Sequence, residues 1–125
     1  MIYVCSLYSN GISKLDPREQ DNVLDERVDY TMKRVHEWLL EGKYVYSPIL
    51  HCHEISRKYG LPKEYDFWKK IDRNAIDHCS EVYVLKMSDS YGGCWTKSTG
   101  IQDEIKHAER IGKKITYFDC EDYLL

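Results

Sequence analysis

Short apolar runs rich in β-branched and aromatic residues alternate along the chain with longer stretches whose apolar positions recur every three or four residues. Runs 2–7 (IYVCSL), 43–47 (KYVYS), 81–87 (EVYVLKM) and 115–118 (ITYF) read as strands, the first fully buried and the second ended by Pro48. Residues 21–41 carry helical spacing through Leu24, Val28, Thr31, Val35, Trp38 and Leu39, with Gly42 placed as the stop. Segment 51–62 reads as a loop or short helix. Segment 63–79 is helical through Trp68, Ile71, Ala75 and Cys79, and 99–111 through Ile101, Ile105, Ala108 and Ile111. Ser98 or Thr99 is placed to cap that last helix, and Thr99-x-x-Gln102 resembles a capping box. The alternation predicts one domain over 1–125: a three-layer α/β/α fold with a mainly parallel sheet of four or five strands, flavodoxin- or Rossmann-like.

Two carboxylates break the pattern. Glu104 falls inside the apolar stripe of the last helix, beside Ile101 and Ala108, whereas Asp103, Lys106, Glu109 and Arg110 point elsewhere. Asp72 lies within the stripe of the helix before it, one turn from Trp68 and Ala75. A buried carboxylate needs compensation. For Glu104 the first-turn amides and the helix dipole are the expected source, keeping it charged as a nucleophile or base; the plainer reading places it at the stripe's edge, snorkelling to solvent. For Asp72 the plainer reading is a cap on a neighbouring amide, or a pair with Arg73 or Lys69.

Composition narrows the field further. The chain has 125 residues, 42% of them hydrophobic and 31% charged, so its core is large enough to stand without disulfides or metal. A net charge of −3 supplies no basic footprint for a nucleic-acid polymer or an anionic membrane. The opening MIYVCSLYSN has neither a cationic leader nor a long apolar run, which points to the cytoplasm. Five irregularly spaced cysteines fit free thiols in a reducing compartment, with Cys94 in the Gly-Gly-Cys-Trp loop the most exposed.

Ligands of parallel sheets bind beyond the carboxyl ends of the strands. That edge collects Ser6, Tyr8, Ser9 and Asn10 after the first strand and His51 and His53 after the second. After the third come Trp95, Ser98, Gly100 and the start of the Glu104 helix. Asp72, on a helix body, must face the cleft from the side.

Several segments follow one another over most of the chain. They are Tyr3-Val4-Cys5-Ser6-Leu7-Tyr8-Ser9, Arg27, Tyr46-Ser47-Pro48-Ile49 with His51 and His53, and Trp95-x-x-Ser98-x-Gly100-x-x-x-Glu104 with Ala108 and Gly112. In order and spacing they resemble the nucleoside 2-deoxyribosyltransferase-like superfamily, most nearly a small bacterial and phage branch of unknown function. The resemblance implies that Glu104 attacks the anomeric carbon of a deoxyribonucleoside or its monophosphate. It also implies that Asp72 shares the site and that Tyr8 positions the nucleophile or the sugar. Ser98 matches a position that contacts phosphate in the nucleotide hydrolases and is aspartate in the nucleoside transferases, which implies a phosphorylated substrate. A homodimer or higher homo-oligomer is implied as well, and Tyr123-Leu124-Leu125 suits a subunit contact or docking on its own domain. Two departures concern the substrate. The first loop lacks the basic residue of some nucleotide hydrolases, with Asn10 nearest its place and Lys14 nearby, and the loop 89–97 is longer than in the transferases.

The chemistry the resemblance implies is cleavage of an N-glycosidic bond. Glu104 would stabilise or capture the anomeric carbon, and Asp72 would protonate the base or bind the sugar. Amides at the start of the last helix, including that of Gly100, form with the Ser98 hydroxyl an anion cradle for a 5'-phosphate; Ser98 as a plain N-cap is the simpler account. Tyr8 and Trp95 would stack on a base or simply pack. Arg27 would reach the phosphate or pair with a carboxylate, a solvated helix face being the default. His51-Cys52-His53 lacks paired metal-ligand spacing, so no metal is expected; one histidine would line the pocket and the other be structural. No cofactor is expected. The expected partner is a small nucleoside or nucleotide, turned over by hydrolysis or deoxyribosyl transfer, or bound without turnover by a module that recognises a nucleotide or an NAD-derived signal. A receiver-like domain fits poorly, since the third strand ends in Lys-Met-Ser rather than a phospho-acceptor aspartate.

Overall fold

The apolar runs pair into one parallel sheet of order β2-β1-β3-β4, formed by Ile2–Cys5 (β1), Val45–Tyr46 (β2), Glu81–Lys86 (β3) and Lys114–Asp119 (β4). The computed structural model describes residues 1–123. Parallel neighbours require long crossovers. Helices supply them: α1 (Pro17–Leu40), α2 (Pro48–Tyr59), α3 (Tyr65–His78) and α4 (Thr99–Arg110), with a single 3-10 turn at Trp95–Lys97.

Register assigns the faces. Tyr3 sits beside Val82, so Tyr83, the next residue of β3, points to the opposite side. There Trp38 of α1 packs on Tyr83 and Phe118 at ring distances of 5.0 and 5.2 Å. Tyr3 faces the other layer, where α3 and α4 lie against the sheet. The result is the expected three-layer α/β fold.

Local chemistry explains where the boundaries moved. α1 begins at Pro17 because Asp16 caps it, accepting from the Glu19 amide at 2.9 Å, and proline suits the first helical position. That polar first turn carries no apolar period. Pro48 likewise opens α2 after Ser47, whose hydroxyl accepts from the Leu50 amide, so 51–62 lies mostly in a full helix. Ser98 is the cap of α4, accepting from the Ile101 amide at 3.3 Å, and Gln102 donates to the Trp95 carbonyl instead of closing a box with Thr99.

The loops at the carboxyl edge are tied by buried polar contacts. Arg27, fully buried, forks onto Asp89 at 2.9 and 3.1 Å and donates to the carbonyls of Tyr8 and Asn10 at 2.7 and 2.9 Å. Asp89 also accepts from the Gly93 amide and the Tyr123 hydroxyl, each at 3.0 Å. Tyr123 therefore docks on its own domain, against Tyr30; Leu124 and Leu125, read with it as a subunit contact or a dock on the same domain, lie outside the described residues. Gly11 is the tightest crossing. Its φ is +80°, and a Cβ there would sit 2.1 Å from the Gly92 carbonyl oxygen. Gly11→Ala is expected to destabilise the fold by about 2–3 kcal/mol, a fall of about 10 °C in thermal midpoint. An unchanged midpoint would mean that the two loops separate freely.

Candidate active site

α4 turns Ile101, Glu104, Ile105 and Ala108 toward the sheet, as its stripe requires. Glu104 is 6% exposed, and its Oε2 accepts a hydrogen bond from the Tyr3 hydroxyl, itself fully buried on β1. Asp72 reaches the same place from α3, 8% exposed and with no hydrogen bond or ion pair to another described residue. The cap or pair that the plainer reading assigned to Asp72 is absent, because Arg73 is held by Asp103. Arg73 forks onto that carboxylate at 2.6 and 3.1 Å, and the Tyr65 hydroxyl donates to it at 2.8 Å. Asp103, read from sequence as pointing away, is thus the bolt between α3 and α4.

Electrostatics correct one expectation. Glu104 lies beyond the first turn of α4, too deep for its amides, and burial governs its charge instead. Burial, then the Asp72 carboxylate, pushes Glu104 up to about 8 against the pull of the Tyr3 hydrogen bond. Burial and then Asp103 push Asp72 up to about 7. Near neutral pH the pair therefore keeps at least one proton, held more firmly by Glu104 than by Asp72.

Both acids face a cavity of about 680 Å³ at the carboxyl edge of the sheet. That volume suits a nucleotide-sized molecule. Of the residues singled out from sequence, Tyr8, Ser6, Ser9, Asn10, His53, Ser98 and Gly100 line it with Glu104 and Asp72.

Three do not. Arg27 is neither on a solvated helix face nor at the cavity, because Asp89 and two loop carbonyls take its whole guanidinium. His51 is exposed, for residues two apart on a helix face different ways, and α2 turns His53 inward. Trp95 packs on Tyr117 at a ring distance of 5.7 Å and on the core behind the loop. Tyr8 lines the cavity but bonds His53, at 2.7 Å; Tyr3 is the tyrosine that holds Glu104.

Residues 1–120 match the sequence model of a family described as a domain of unknown function, DUF1937. The chain belongs to that family. Neither a curated protein nor a solved structure gives a match.

The DUF1937 cavity contains groups that sequence reasoning passed over. Tyr3 was absorbed into an apolar strand, yet a tyrosine on a fully buried strand needs a partner for its hydroxyl, and that is a readable signal. Tyr65 and Trp68 form an aromatic wall, and Arg57 and Lys63 bring positive charge to the lining. Trp68 shares the stripe of Asp72, where it reads as packing; no local pattern marks Tyr65, Arg57 or Lys63. Among the described residues the buried Ser6 hydroxyl has no hydrogen-bond partner, which leaves a donor and acceptor directed at whatever fills the cavity. Among the described residues no group of three or more His, Cys, Asp and Glu side chains is placed to share a metal ion, and no helix is long and apolar enough to cross a membrane.

Proposed function

We propose that this domain cleaves the N-glycosidic bond of a deoxynucleoside or deoxynucleoside 5'-monophosphate, with Glu104 as nucleophile and water or a second base as acceptor. The observation that carries this is the buried Glu104 and Asp72 pair facing a nucleotide-sized cavity and keeping at least one proton near neutral pH. The resemblance of the Tyr3 to Ser9 and Trp95 to Glu104 segments to the nucleoside 2-deoxyribosyltransferase-like superfamily supports it.

Positive charge develops on the sugar as the bond to the base breaks. Glu104, which holds the pair's proton more firmly than Asp72 in the free protein, must pass it to Asp72 as substrate binds, and its carboxylate beneath the anomeric carbon then stabilises and captures that charge. The Tyr3 hydroxyl orients the attacking carboxylate. Asp72 holds the proton that the pair shares and either gives it to the departing base or binds a sugar hydroxyl. The Thr99 and Gly100 amides open α4 without helical partners, and the Ser98 hydroxyl, accepting from Ile101, keeps its proton to donate. These three groups suit a 5'-phosphate.

The test is incubation with deoxynucleosides and their 5'-monophosphates, modified pyrimidines included, following free base by chromatography. Wild type should release base from at least one class, and Glu104→Ala should lose at least about 10³-fold of that rate. One observation favours a second reading, a module that binds a nucleotide or an NAD-derived signal without turnover: burial holds Glu104 largely protonated in the free protein. Ligand binding without base release, equal in wild type and Glu104→Ala, would select it.

A further inference from the structure

The cavity has a second ionisable wall that the carboxylate pair does not explain. His53 is 5% exposed, and both its ring nitrogens are engaged. Nδ1 lies 2.7 Å from the Tyr8 hydroxyl, and Nε2 lies 3.1 Å from Asp25 Oδ1. Tyr8 and His53 line the cavity, whereas Asp25, on α1, is half exposed. The hydrogen-bonded chain therefore runs without a break from the cavity to bulk water. Among the described residues charge reaches it from Asp25 and Asp21 on α1 and from Arg57 on α2, which is ion-paired with Asp25.

This arrangement has a chemical direction. A carboxylate on Nε2 keeps the proton there and fixes the ring's orientation, leaving Nδ1 to exchange a proton with Tyr8. Burial pushes the Tyr8 hydroxyl up to about 12, so it stays a neutral phenol with a proton to pass on.

We propose that Tyr8, His53 and Asp25 form the proton relay of the reaction, with Tyr8 touching the leaving base and His53 and Asp25 acting through it. The assignment rests on the glycosidase reading above. In the first step Glu104 forms a bond to C1', the C1'–N bond breaks, and its electron pair goes to the base nitrogen. Tyr8 gives that base its proton and takes one from Nδ1 of the imidazolium. In the second step water attacks C1', the C1'–O bond to Glu104 breaks, and the electron pair returns to the carboxylate. The proton lost by water passes to Tyr8, and Tyr8's own to Nδ1. Water is thereby added across the N-glycosidic bond and every group regains its starting proton. Asp72 is left to share its proton with Glu104 and to hold a sugar hydroxyl.

The test uses the full chain and two substrates: a deoxynucleoside 5'-monophosphate, and a 2-deoxyribosyl 5-phosphate whose leaving group, 4-nitrophenolate, departs without needing a proton. Tyr8→Phe and His53→Gln should slow base release by about 10²–10³-fold and leave the first-turnover burst of nitrophenolate, which reports the first step alone, within about threefold of wild type. Asp25→Asn, at a half-exposed position where folding is not at stake, should show a smaller loss with the same leaving-group dependence. Glu104→Ala should lose both activities. Equal losses on the two substrates in the Tyr8, His53 and Asp25 variants would reduce the chain to a structural tie and overturn the relay. So would a leaving-group dependence that appears only in Asp72→Asn. Glu104-dependent turnover untouched by all three variants overturns the relay alone, whereas a wild type inert on both substrates overturns the glycosidase reading and the relay with it.

Discussion

Arg27→Met is expected to destabilise the domain by about 3–5 kcal/mol, the largest effect of any single substitution considered for stability. The guanidinium and the Asp89 carboxylate are both fully buried. Removing one partner leaves an uncompensated charge in the interior, which is far more damaging than losing the pair as a whole. The same substitution strips donors from the Tyr8 and Asn10 carbonyls, and Asn10 in turn accepts from the Cys94 amide at 3.0 Å. Loss of Arg27 therefore loosens the loop after β1 and the loop after β3 together, on the rim of the cavity. Urea unfolding followed by fluorescence would measure it, with a lower midpoint at an unaltered slope. The Arg27→Met/Asp89→Asn double variant should recover part of the loss. A single-variant effect below about 1 kcal/mol would mean that water reaches the pair.

Glu104→Gln should remove turnover while making the protein more stable at alkaline pH. In the folded state Glu104 titrates near 8 and Asp72 near 7, both above the ordinary carboxylate range. Between about pH 4.5 and pH 8 the folded protein thus binds more protons than the unfolded chain, and stability falls as pH rises through that window. Below it both states are protonated and nothing is lost. A neutral glutamine still accepts the Tyr3 hydrogen bond and no longer repels Asp72. The expected result is a gain on the order of 2 kcal/mol at pH 8 that vanishes near pH 4.5, seen as thermal midpoints that converge on acidification. Equal midpoints at every pH would place Glu104 in contact with water. Destabilisation at pH 8 would assign it a structural charge.

The two buried acids were legible because each violates a helical period: a carboxylate where α4 or α3 should be apolar is a local anomaly that counting residues exposes. The edge that gathers Tyr8, Ser98 and Gly100 was legible too, since parallel strands send their following loops to one side. Of the readings given for Arg27 the pair with a carboxylate is the one that holds, and the default of a solvated face failed for a definite reason. Its partner Asp89 is far away in sequence, and no local pattern separates a buried arginine with a distant partner from a solvated one. His51 and His53 show the same limit at short range, where knowing that the segment is a full helix decides which one turns inward.

Sequence alone determined the four strands and three of the helices in their order along the chain, the parallel three-layer arrangement and the placing of Glu104 and Asp72 on core-facing stripes, because period and capping act over a few residues. Only the tertiary structure decided that Tyr3 rather than Tyr8 holds Glu104, that Asp103 frees Asp72 by taking Arg73, and that Tyr8, His53 and Asp25 form one chain. It decided as well that the two acids titrate high. Each of these depends on which side chains meet across the sheet and on how much water they exclude, and both are set by packing between segments distant in sequence.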